Sequence, residues 1–226
     1  MKKTIPLSMF LALFLNSSLS AQTGAHFGFK GGYSMSTQYG ITVPGLPYTV
    51  DSLYRHGIVG GILAYFPVTE SFGIQQELLY VMKGSRQDIS MDVPPLHSHT
   101  EYNQNYLELP FVLRYTIVKL GNFEIYGSSG FALSILLNGK SELHGVVEMG
   151  ATPIPLTEST ELEGVDMFDY SFLYGAGLDF DLFCRECFFE YRFTIGWNTL
   201  MMPTSAGQDP APLRNQDYAF TLGIYL

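Results

Sequence analysis

Positive charge is the scarcest commodity in this chain. Lys and Arg total 12 of 226 residues against 21 Asp and Glu, for a net charge of −9. Charged residues of all kinds make up only 15%, and no basic stretch stands out. That excludes a protein that grips nucleic acid through a cationic face, and no nucleic-acid partner is expected. Cysteine is down to two residues, Cys184 and Cys187, too few for a disulfide-built scaffold. No apolar run reaches the ~18 residues a membrane helix requires, although 46% of the chain is hydrophobic. Also missing are a Ser-His-Asp arrangement, a phosphate-cradling glycine loop and a Walker sequence, so nucleotide chemistry is disfavoured and no cofactor is expected. What the chain does have is rings: 15 Tyr and 17 Phe beside a single Trp. That content excludes a disordered chain.

The N-terminus reads as an export leader. Lys2 and Lys3 precede an apolar run from Ile5 to Leu15, followed by small and polar residues to Ser20 and Ala21. Charged, greasy, small-residue order is that of a secretory signal peptide, with cleavage after Ser20 or Ala21. Residues 1–21 are thus expected to be a signal peptide and residues 22–226 one β-barrel domain. Losing the charges of Lys2 and Lys3 takes the net charge from −9 to −11.

Beyond the leader the dominant signal has period two. Phe72, Ile74, Leu78, Tyr80 and Met82 fall on one parity while Gln75, Glu77 and Lys83 fall on the other. Alternation of that kind is a strand with one apolar and one polar face. Leu107, Leu109, Phe111, Leu113 and Tyr115 alternate with Glu108, Val112, Arg114 and Thr116, although Pro110 interrupts the run. Similar ladders occur at residues 27–35, 123–135, 168–181, 189–197 and 217–226. Only residues 55–66 choose no face.

Connections alternate in length, as an up-and-down meander across a membrane requires. Long ones are expected over residues 37–54, 85–100, 138–166 and 200–216, and short ones at 67–70, 119–122 and 183–186. Seven joints fit eight strands of about ten residues. The expected fold class is all-β, an eight-stranded antiparallel up-and-down transmembrane β-barrel. More than thirty large apolar side chains share the apolar parity, too many to fill the inside of eight strands. They are therefore placed outside against lipid, and Tyr65, Tyr80, Tyr115, Tyr170, Tyr191, Trp197 and Tyr218 are assigned to interfacial girdles.

Four stretches carry a family resemblance: His26-Phe-Gly-Phe-Lys-Gly-Gly-Tyr-Ser, Gln76-Glu-Leu-Leu-Tyr-Val-Met-Lys-Gly84, Tyr106-Leu-Glu-Leu-Pro-Phe-Val-Leu-Arg-Tyr115 and Tyr174-Gly-Ala-Gly-Leu-Asp179. Together they resemble the PorT-like outer-membrane β-barrel family over nearly the whole mature chain. The resemblance implies an integral barrel in the outer membrane of a two-membrane bacterium, and it accounts for Pro110. Some members serve type IX secretion, but the matching motifs read as barrel packing and do not carry that role over.

Lys30, Glu77, Glu108, Arg114, Glu124, Asp179, Glu190 and Arg192 occupy the polar parity and are expected to form a structural network in the lumen. Paired carboxylates there suit acid and base work, but ions enclosed in a narrow barrel must first neutralise one another. Cys184-Arg-Glu-Cys187 has the spacing of a redox pair, yet no βαβ pattern surrounds it and no second pair exists. In an oxidising periplasm a hairpin disulfide is the plainer outcome, with free thiols left open. His97 and His99 are weak metal candidates; solvated loop histidines are the blander reading. No catalytic residue is assigned, and the chain is expected to be non-enzymatic, with a role in envelope structure or surface binding through its outer loops. Two alternatives are a type IX secretion-associated subunit and a membrane-embedded lipid hydrolase. Expected partners are outer-membrane lipid, the barrel-assembly machinery during biogenesis, and an envelope or surface protein not identified by the residues.

Overall fold

The computed structural model describes residues 24–39, 48–92, 95–149, 152–161, 167–183, 185–197, 200–201 and 212–226. Ten strands appear in chain order: β1 (His26–Tyr39), β2 (Tyr48–Pro67), β3 (Phe72–Asp92), β4 (Pro95–Leu120), β5 (Phe123–Met149), β6 (Thr152–Glu161), β7 (Phe168–Leu182), β8 (Arg185–Gly196), β9 (Leu200–Met201) and β10 (Pro212–Tyr225). All pairings are antiparallel, and eight strands run in the order β1-β2-β3-β4-β5-β7-β8-β10. Pairing of β10 with β1, from Gly28↔Tyr225 to Tyr39↔Arg214, closes the sheet. The fold is a closed eight-stranded antiparallel barrel, and no helix occurs among the described residues. Closure leaves no free edge within the wall, as a lipid-immersed sheet requires.

Short connections, at residues 68–71, at 121–122 and between Leu182 and Arg185, lie at the end of the barrel that carries both terminal strands' outer ends, Gly28 and Tyr225. The opposite end departs from expectation. Much of what was expected to be long loop is strand, and β3, β4 and β5 run for 21, 26 and 27 residues instead of about ten. Above the barrel, β2 to β5 continue as a sheet, with β6 added to the free side of β5. The excess length is paired laterally, so it needs neither lipid nor a closed wall to satisfy its backbone.

Two register shifts mark where this sheet leaves the wall, one in β2–β3 between Tyr54 and Val59, the other in β4–β5 between Asn105 and Tyr106. Bulges bend and twist a strand pair, which is what turning out of a cylinder demands. Gly84 sits opposite the first, at φ 150°, where an added Cβ would lie 1.8 Å from the Tyr102 carbonyl oxygen. Only glycine fits there.

The apolar parity faces outward. Phe29, Phe131, Phe172 and Leu222 are each more than half exposed, while the alternate residues are buried in the lumen. Residues 55–66 chose no face for a physical reason: inward Val59 packs with Leu79, Val81 and Ala219, and inward Leu63 with Phe188 and Tyr225. Both faces of that segment are apolar, so period two disappears. Tyr65, assigned to a girdle by sequence, joins this inner cluster instead and lies against Arg114.

Candidate functional site

The lumen holds the densest polar chemistry of the molecule, stacked in tiers. In the middle tier Lys30 (β1), Glu77 (β3), Glu190 and Arg192 (both β8) meet across the barrel. Lys30 Nζ donates to Glu77 Oε1 at 3.0 Å and to Glu190 Oε2 at 3.2 Å. Arg192 grips Glu77 with both terminal nitrogens, at 2.7 and 2.8 Å, and donates from Nε to Glu190 at 2.8 Å. Each of the two carboxylates is 1% exposed. Two cations and two anions neutralise one another, and the forked guanidinium fixes their geometry.

Toward the end carrying the short turns, Arg114 (β4) donates to Gln75 at 3.0 Å and to the Tyr225 hydroxyl at 2.5 Å, and also bonds Asp179. Its guanidinium stacks 3.5 Å from the Tyr126 ring centroid. Toward the outer end Lys83 meets Glu108 at 2.5 Å, and Ser134 donates to the same carboxylate at 3.0 Å. Above it lies a belt of amides, in which Gln38 donates to Gln104 and Asn215, both at 3.1 Å, and accepts from Ser85 at 2.9 Å.

Alternation along each strand is what delivers these groups. Glu190 and Arg192 are two apart on β8, as are Gln75 and Glu77 on β3, so each pair points to the same side. Seven of the eight residues singled out by sequence lie in these tiers. The eighth, Glu124, does not: it is the second residue of β5, at the barrel mouth where water reaches it, and pairs with Lys119 at 2.9 Å. Lys83 shares the parity of Glu77, and Asp217 the parity of Thr221, so alternation alone marked both. Gln38, Gln104 and Asn215 carried no charge signal, and only the closed wall brings them together.

Among the described residues, one lumen cavity with room for about one water molecule is lined by Lys30, Glu108, Arg192, Thr194, Asp217 and Thr221. Glu77 and Glu190 have their oxygens committed to cations. The arrangement can seal the barrel and hold its strands in register; the one carboxylate oxygen without a hydrogen-bond partner at the cavity is Asp217 Oδ1, enclosed with a space about the size of a water molecule.

His99 lies opposite His144 on the outer sheet, with ring centroids 5.2 Å apart. No group of three His, Cys, Asp or Glu side chains able to hold a metal occurs among the described residues. The side chain of His97 and all of Cys184 lie outside the described residues, as does the leader; Cys187 is half-buried on β8. Elsewhere on the wall, Tyr33 and His56 stack and hydrogen-bond through the tyrosine hydroxyl and Nδ1.

The outer membrane protein beta-barrel domain family matches residues 19–201. The chain belongs to this family. Comparison with curated proteins returned no match. Among solved structures, it is similar to the outer membrane protein OprG from Pseudomonas aeruginosa at 10% identity, covering 90% of this chain and 97% of that one, with a TM-score of 0.49. It is similar also to Ail, the attachment invasion locus protein of Yersinia pestis, at 12% identity, 89% and 99% coverage and a TM-score of 0.40. Neisserial surface protein A gives 9% identity, 90% and 99% coverage and a TM-score of 0.42. For a member of this family, an apolar outer wall around an ion-paired lumen is the arrangement lipid immersion demands.

Proposed function

We propose that the protein is a non-enzymatic integral protein of a bacterial outer membrane, related to the PorT-like branch, that carries a rigid β-sheet above the membrane for surface or envelope binding. One observation supports this above others: the lumen is filled by paired ions, whereas β2 to β6 extend past the barrel as an ordered sheet. A plugged lumen leaves the exterior as the place for function. On this reading the leader exports the chain, the barrel-assembly machinery inserts it, and outer-membrane lipid surrounds it. Its partner contacts the protruding sheet. Hydrolysis of lipid fits less well. His56 engages Tyr33 and His99 meets His144, so neither imidazole is held by a serine hydroxyl among the described residues.

Replacing Thr160 by cysteine, on the exposed part of β6, provides the test. A membrane-impermeant maleimide is expected to label this variant on intact cells, while the protein still shifts on a gel between unheated and boiled samples. Labelling only after the outer membrane is opened would reverse the orientation and defeat the reading.

A further inference from the structure

The outer wall is not uniformly apolar. Across three adjacent strands, β10, β1 and β2, it bears a strip of polar-tipped side chains: Arg214, Gln216 and Tyr218 on β10, Tyr54 and His56 on β2, and Tyr33 on β1. Tyr218 and His56 both register with Met35, so they lie on one hydrogen-bonded row. Gln216 donates to the Tyr218 hydroxyl at 2.7 Å, and the Tyr54 and Tyr218 rings meet edge-on at 5.9 Å. Tyr33 and His56 share a hydrogen bond between the tyrosine hydroxyl and Nδ1, which leaves the imidazole Nε2 outside that contact.

Depth places this strip at a boundary. The eight residue-to-residue steps from Tyr218 to Leu226 span about 26 Å along the strand at ~3.3 Å each, or about 20 Å in depth at a tilt of ~40°. Below the row the same three strands expose Phe220, Leu222, Ile224, Phe29, Ile58 and Ile62, a surface for acyl chains. The row itself falls near the outer rim of an apolar band ~25 Å tall. A cation lies on the same strand four residues above this row. Arg86 faces Asp88 and Lys119 faces Glu124, and Lys30, Lys83, Arg114 and Arg192 are consumed in the lumen. Arg214 is exposed, directed outward, and has no carboxylate partner among the described residues, whereas the remaining exposed cations, Lys140 and Arg185, lie on the outer sheet and at the short-turn end.

We infer that this strip binds the phosphorylated headgroup of an outer-leaflet glycolipid of the lipid A type. Arg214 supplies the charge, His56 Nε2 and the tyrosine hydroxyls supply polar contacts, and the apolar residues beneath receive the acyl chains. A guanidinium with neighbouring N–H and O–H donors is the chemistry that recognises phosphate.

The test uses the full mature chain folded in detergent micelles and titrated with phosphorylated lipid A, with lipid retention read by native mass spectrometry. Arg214→Gln is expected to weaken retention about tenfold, as loss of a charge-assisted contact does, and His56→Gln about threefold. Both variants keep the heat-dependent gel shift, because neither residue packs in the lumen. Lys140→Gln, which removes an exposed cation elsewhere, is expected to retain lipid A as the unaltered chain does, and dephosphorylated lipid A to bind about tenfold less well than the phosphorylated form. Equal retention of dephosphorylated lipid, or equal losses in the Arg214 and Lys140 variants, would overturn the inference in favour of a generic aromatic girdle or diffuse attraction.

Discussion

Glu77 is the residue on which most of the lumen leans. It accepts from Lys30, from both terminal nitrogens of Arg192 and from Gln75, all in a space closed to bulk water. Ion pairs of this sort are weak evidence for net stability, since desolvation offsets most of the attraction, but removing one member leaves charge buried without compensation. Glu77→Ala is therefore expected to cost about 3 to 5 kcal/mol, read as a lowered urea midpoint for the barrel refolded in lipid vesicles. Adding Arg192→Met should recover part of that loss, and strictly additive losses would mean the two side chains are not coupled. Gly177 shows the same crowding in another form. A Cβ there would sit 2.2 Å from the Tyr126 ring, and that ring covers Arg114. The ring the glycine makes room for lies across the strand pair, at Tyr126↔Gly177.

Strands are where alternation becomes a measurable asymmetry. On β10, Phe220 faces lipid, whereas Thr194 on neighbouring β8 faces the lumen cavity. Phe220→Arg, near mid-depth, is expected to destabilise the barrel by about 2 to 4 kcal/mol, the usual cost of a cation at the bilayer midplane. Thr194→Arg enters a space already holding Arg192 and Lys30 but also Asp217, whose Oδ1 has no hydrogen-bond partner. Its penalty should differ in size and respond to Asp217→Asn, which the Phe220→Arg penalty should ignore. Vesicle-refolding equilibria for the four variants would check this, and identical behaviour at both sites would mean the two faces are exchanged. Beyond the membrane, β6 pairs only with β5 among the described strands, and Pro153 and Pro155 lie in it. Prolines lack the N–H that another chain's strand would need, so they blunt an otherwise open edge. This segment was read from sequence as loop, because proline argues against a strand unless the strand is an edge.

For the molecule as a whole, the tiers of paired ions and amides close the barrel from end to end. Eight strands already leave little more than room for side chains, and the cavity beside Lys30 and Asp217 holds about one water. Planar bilayers containing the protein are expected to show no open-channel steps under applied voltage, while the Glu77→Ala, Arg192→Ala double variant admits a leak. Steady conductance from the unaltered protein would contradict a sealed lumen. The outer sheet adds a second level of organisation that the barrel does not require. Its departure from the wall occurs at two bulges on neighbouring strand pairs, so it is set by register rather than by a linker.

Composition and period two were enough to determine an all-β, membrane-facing barrel with eight strands, its short turns, its apolar exterior and most of its inward charges. Those properties are local: each residue's face follows from its parity, and parity is written along the chain. Which inward charges meet was decided only by closure, because Lys30 and Glu190 are 160 positions apart and touch solely because β1 and β8 flank β10. The same holds for the length of the strands above the membrane. Pairing partners, not intrinsic preference, keep residues 85–92, 95–105, 138–149 and 152–161 extended, and hydrogen bonds to a neighbouring strand leave no period in the sequence of either one.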